Sequence, residues 1–135
     1  MATTVSPPRS RATVRTLAAL PDDTRAELVD GTLVMMSPTK HNHGTVVARL
    51  AAVLNPWVYG RALGEVYPET VGFVLRRDPD VVRSPDLSYV SAARLPAASV
   101  EDGYLEIGPD LVVEVLSPSN PFVEIGRRLG DLFAA

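Results

Sequence analysis

Apolar positions follow two rhythms along the chain. From Ala26 to Pro38, "AELVDGTLVMMSP" sets two short apolar runs on either side of Asp30-Gly31, a dipeptide that favours a tight hairpin turn. Pro38 closes the second run, because proline offers no ladder donor. The spacing then changes. Val46, Val47, Leu50, Val53 and Leu54 share one helical face, which predicts a helix from His43 to about Leu54 with Asn42 as its cap and Asn55-Pro56 as its stop. Period two returns from Glu65 to Leu75, with Tyr67, Val71, Phe73 and Leu75 in one parity. "VVRSPDLSYV" reads as the next strand and "PDLVVEVLS" as the last. Both parities of that last run are apolar, which predicts a central strand covered on both faces.

Between them, "AASVEDGYLEIG" reads as a solvated connection. Ile125, Leu129, Leu132 and Phe133 give an inner face to a closing helix over 123–135. Residues 1–16 are polar and read as a flexible arm, and Leu17–Arg25 as a short helical turn broken by Pro21. Hairpin, helix, three strands and helix make a mixed α/β domain over residues 17–135, with a sheet flanked by helices.

Composition narrows the function classes. With 135 residues and 46% hydrophobic content the chain can bury one real core. It has no cysteine, which excludes disulfides and thiolate metal sites. The net charge of -3 gives no basic footprint for sequence-independent nucleic-acid binding, though it permits local contact through a few arginines and a metal. No apolar run approaches the roughly 20 residues of a membrane span, and the first residues lack a signal-peptide core, so a cytoplasmic location is expected. Neither GxGxxG, nor a Walker loop, nor HExxH occurs.

Glu114 interrupts the most apolar strand. A buried carboxylate needs a compensator: an arginine, a retained proton or a bound cation. Asp86, in "SPDLSYV", lies in a neighbouring strand candidate. If the two strands are adjacent, both carboxylates project from one face, and oxygen donors of that kind select hard cations such as Mg²⁺ or Mn²⁺. On pattern alone Glu27 reads as an exposed strand residue, His43 as a capping or packing histidine, and Asp110 as a cap at the strand entrance.

Three segments, "AELVDGTLVMMSPTKHNHGTVVARL", "SPDLSYVSAARL" and "PDLVVEVLSPS", together resemble the Uma-type restriction endonuclease family of the PD-(D/E)XK nuclease superfamily, over roughly residues 25–135. The resemblance implies a restriction-endonuclease-like core and Mg²⁺- or Mn²⁺-dependent hydrolysis of DNA phosphodiesters. By motif it makes Glu27, Asp86, Glu114 and Arg128 the catalytic set, with Asp86 and Glu114 on the metal and His43 near substrate. Arg128 stands where the family pattern carries a lysine, and arginine does not readily lose a proton. The family pattern also continues with further strands, so the chain reads as truncated or as completing its sheet in a homodimer. The alternative expectation is a catalytically degenerate relative that binds DNA or a protein.

Overall fold

The computed structural model describes residues 10–135. The chain forms α1 (Val14–Ala18), β1 (Ala26–Val29), β2 (Thr32–Met35), α2 (His41–Gly60), β3 (Gly64–Pro68), β4 (Phe73–Arg76), β5 (Val81–Arg83), β6 (Leu87–Ser91), β7 (Ser99–Glu101), β8 (Tyr104–Glu106), β9 (Leu111–Val113) and α3 (Phe122–Phe133). The mixed α/β class is as expected. The strands divide between two sheets, a six-stranded one in the order β2-β1-β5-β4-β8-β7 and a three-stranded one in the order β3-β6-β9.

Two expected strands each break in the middle and change sheets. The run from Glu65 to Leu75 is β3 in the small sheet and β4 in the large one. "VVRSPDLSYV" is β5 in the large sheet and β6 in the small one, bent at Ser84-Pro85-Asp86. Proline interrupts the ladder at each break. The two sheets therefore join through short links at residues 69–72 and 84–86, and a third, residues 107–110, leads from β8 to β9.

The hairpin forms as its turn residues dictate. Asp30 and Gly31 take φ of 50° and 75°, the two positive values of a type I′ turn. Asp102 and Gly103 repeat that geometry at 49° and 88°. They turn the expected solvated connection into the β7–β8 hairpin, whose β8 pairs in parallel with β4.

The arm is shorter than the polar sequence suggests. Thr13 and Thr16 form a reciprocal cap for α1, and Val14 and Leu17 are buried against Leu28, Val74 and Val82. Val14, inside the expected arm, thus belongs to the core on one face of the large sheet. Residues 1–9 of the expected arm lie outside the described residues.

Helix α2 runs through Asn55-Pro56 to Gly60, and Lys40, not Asn42, holds its N-cap position. The closing strand is not central either. β9 is an edge of the small sheet, β6 is its middle, and Leu111 is exposed. Glu114 lies one residue beyond the strand's end. On α3 only Leu132 of the expected apolar face is fully buried, and Phe133 is exposed. The face turned to the large sheet instead carries Arg128 and Asp131.

Candidate active site

Parity on β1 explains the first site residue. Leu28 faces α1, so its neighbours Glu27 and Val29 face the opposite side of the sheet, and Glu27 is 1% exposed. It is not an exposed strand residue. Its Oε1 accepts the Ser84 backbone N–H at 2.7 Å, which satisfies a donor left free by the bend between β5 and β6. Arg83, on the same face of β5, donates from Nη1 to Glu27 Oε2 at 3.0 Å. Arg83 also donates from Nε and Nη2 to Asp131 Oδ2.

Arg128 enters from α3. Its Nη1 lies 2.6 Å from both Glu27 oxygens, its Nε donates to Glu114 Oε1 at 2.7 Å, and its Nη2 donates to the Ser84 carbonyl at 2.7 Å. Burial works against its charge, but Glu27 and then Glu114 outweigh burial and hold the guanidinium protonated above its already high value. The Glu114 pKa is raised too, which for a carboxyl favours the neutral form. Burial raises its pKa, Arg128 only partly offsets this, and Asp86 and Glu27 push it further up. The two ends of this pair differ because Arg128 divides its charge between two carboxylates, and Glu114 receives the smaller share.

Asp86 sits in the second link. Its Oδ2 accepts the Val115 N–H at 2.6 Å and lies 3.0 Å from His43 Nε2, on the first turn of α2. Among the described residues neither bond uses Oδ1. Sheet register explains its other neighbours. β3 and β6 pair Pro68 with Leu87, and β6 and β9 pair Leu87 with Val113. One further step sets Glu69 opposite Asp86 on one side and Glu114 opposite it on the other. Three carboxylates thus line up across the end of the small sheet, where it meets the large one.

Of the residues expected from sequence, Glu27, Glu114 and Arg128 meet in one network, and Asp86 and His43 meet beside it. Asp110 caps as expected, accepting the Ser91 N–H and pairing with Arg94; these bonds, the Ser91 N–H first, hold its pKa low. Sequence reasoning missed Glu69, Arg83 and Asp131. Glu69 carried a readable signal, since Pro68-Glu69 and Pro85-Asp86 are both a proline and a carboxylate at a strand break.

Ligating atoms of His43, Glu69 and Asp86 lie within 4.8 Å of one another. Glu114 is not in this group; its Oε1 is taken by Arg128. Apart from the exposed Glu124, 3.6 Å from Arg83, five carboxylates around the junction (Glu27, Glu69, Asp86, Glu114, Asp131) face three guanidiniums (Arg25, Arg83, Arg128). Leaving His43 aside, these five and three groups differ by two formal negative charges. Among the described residues the imidazole Nδ1 of His43 has no hydrogen-bond partner, and it is buried. The donor set, the surplus of two charges and the unpaired ring nitrogen fit a divalent cation.

The family model named Uma2, described as "Putative restriction endonuclease", matches residues 13–128. The chain belongs to the Uma2 family. The restriction-endonuclease-like architecture agrees with a solved structure described as a putative nuclease belonging to DUF820 from Anabaena variabilis, with a TM-score of 0.67 and 21% identity over 88% of this Uma2 chain. The match spans 66% of that protein, so this chain covers less than two thirds of its length. No curated protein gives a significant match. Among the described residues no helix is long and apolar enough to cross a membrane.

Proposed function

We propose that this chain is a metal-dependent nuclease that hydrolyses DNA phosphodiester bonds, with Asp86 as the fixed anchor of the metal. The observation that carries this reading is the row of carboxylates around Asp86 at the junction of the sheets, with a formal excess of two negative charges. A site of that sign repels phosphate unless a cation lies between them. Mg²⁺ or Mn²⁺, held by Asp86 and its neighbours, supplies Lewis-acid polarisation of the phosphate and lowers the pKa of a bound water.

The protein side of the chemistry is orientation and charge. The Val115 N–H fixes Asp86 through Oδ2 and leaves Oδ1 directed elsewhere. Arg128, fastened by Glu27 and the Ser84 carbonyl, stays cationic and balances charge developing on phosphate oxygens. It does not serve as the base, because it does not release its proton near neutral pH.

One observation favours a second reading. Arg128 occupies Glu114 and Glu27 directly, which suits a degenerate relative that binds DNA or a protein without cutting. Supercoiled and linear DNA incubated with the chain and Mn²⁺ or Mg²⁺ separates the two. Metal-dependent nicking that disappears in Asp86→Asn, with an unchanged melt, supports the nuclease. Metal-loaded, folded protein that cuts neither DNA form, in double or single strands, sinks it.

A further inference from the structure

Asp86 has a carboxylate on each side, and the two sides are not equivalent. On the β9 side, Glu114 is claimed by Arg128, a part-buried guanidinium bonded at 2.6–2.7 Å to Glu114, both oxygens of Glu27 and the Ser84 carbonyl. Displacing that cation would leave Glu27 and Glu114 buried with one fewer counter-charge, a costly exchange. On the β3 side, Glu69 is met by Arg25 at 3.3 Å, and both side chains reach solvent, at 35% and 26% exposure. An ion pair of that kind is weak and gives way readily. His43 adds an imidazole beside Asp86, with Nδ1 buried and, among the described residues, unpaired.

We propose that the cation at Asp86 is bound on the β3 side, by His43, Glu69 and Asp86, with Glu114 outside its shell, and that this donor set prefers Mn²⁺ to Mg²⁺. The proposal rests on the nuclease reading for its choice of a divalent cation and names the ligands and the ion of that same site. The preference follows from the nitrogen. Mg²⁺ favours oxygen donors and retains its waters, whereas imidazole suits transition-metal ions. Glu114 and Arg128 then form an internal pair that flanks the ion without touching it.

The test is calorimetric titration and thermal melting of the full chain with Mn²⁺ and with Mg²⁺, beside His43→Gln, Glu69→Gln and Glu114→Gln. Mn²⁺ is expected to bind at least about tenfold tighter than Mg²⁺. It should raise the melting temperature by roughly 10 °C at about a hundredfold excess over its dissociation constant. His43→Gln and Glu69→Gln should weaken Mn²⁺ by at least about a hundredfold, while Glu114→Gln changes it by less than about tenfold. Pulsed electron paramagnetic resonance of the Mn²⁺-loaded parent should show coupling to an imidazole nitrogen, and that readout stands even if His43→Gln fails to fold. Loss of binding in Glu114→Gln with retention in Glu69→Gln overturns the proposal. So does the absence of nitrogen coupling, or of any Mn²⁺ binding. Mn²⁺ binding as described without DNA cleavage leaves this inference standing and removes the nuclease reading. Cleavage by an ion that depends on Glu114 does the reverse.

Discussion

Arg83 donates from both Nε and Nη2 to a single oxygen of Asp131, at 2.9 and 2.6 Å, and so fastens α3 to the face of the large sheet that carries Glu27. The guanidinium is 1% exposed, and its third bond goes to Glu27. A helix with little apolar burial is thus held largely by charge. Removing one partner of a buried pair leaves the other uncompensated. Arg83→Met is expected to destabilise the fold by about 3–5 kcal/mol. Urea unfolding should show a lower midpoint with an unchanged slope. A change under about 1 kcal/mol would mean that water replaces these bonds.

Glu114 and Asp110 should respond to pH in opposite directions. The Glu114 pKa is raised by burial above its ordinary 4.5, so the folded state binds that proton more tightly than the unfolded state does. Its contribution is full below 4.5 and is lost as pH rises through the raised value. The Asp110 pKa is lowered below 3.8, chiefly by the Ser91 N–H, so its contribution is present above 3.8 and is lost as pH falls through the lowered value. On acidification the parent should gain stability relative to Glu114→Gln and lose it relative to Asp110→Asn. Urea midpoints of the three chains across pH 3–7 check this, and parallel curves would count against both assignments.

Gly64 opens β3 at a φ of 149°, and a Cβ there would lie 2.1 Å from the Val90 carbonyl oxygen. That neighbour is backbone of β6 and cannot rotate away. Gly64→Ala should therefore cost about 3 kcal/mol or more and prise β3 from β6. Because Glu69 follows directly on that strand, the same change should weaken the proposed binding of Mn²⁺. Amide exchange over 64–68 and 87–91 should rise in the variant, and unchanged protection would refute the account.

Much of this site was legible in the residues themselves. Asp30-Gly31 marks its turn outright, because both positions need positive φ. Asp86 and Glu114 stand out because each sets a charge beside an apolar run; the adjacency of their strands was only a condition of that reading, and the pairing of β6 with β9 supplies it. Glu27 was legible only through its family motif; its burial depends on α3 covering the sheet, which period two does not encode. Glu69 was missed despite its proline-carboxylate signal, because alternation continues in phase through the break between β3 and β4, so two strands look like one. The edge position of β9 was equally hidden, since an apolar strand beside an apolar helix face reads as interior whether or not a further strand covers it. Leu50, Val53, Leu54 and Trp57 of α2 line a groove with Leu87, Leu111 and Val113 at that edge.

Glu27 and Arg128 are 101 residues apart in sequence, so their contact closes nearly the whole described chain into one loop. Loop closure of that length comes late, after local hairpins and helices have formed. The expected order has the carboxylates of the junction gather before Arg128 arrives, with a transition state for folding that lacks its contacts. Removing Arg128 should then act on one limb of the kinetics. Arg128→Met is expected to leave the refolding rate within about twofold and to speed unfolding by roughly a hundredfold or more, as interactions formed after the barrier do. Stopped-flow mixing reads both limbs, and a slowed refolding limb would place α3 in the nucleus. On this account the site is the last part of the molecule to assemble and the first to come apart.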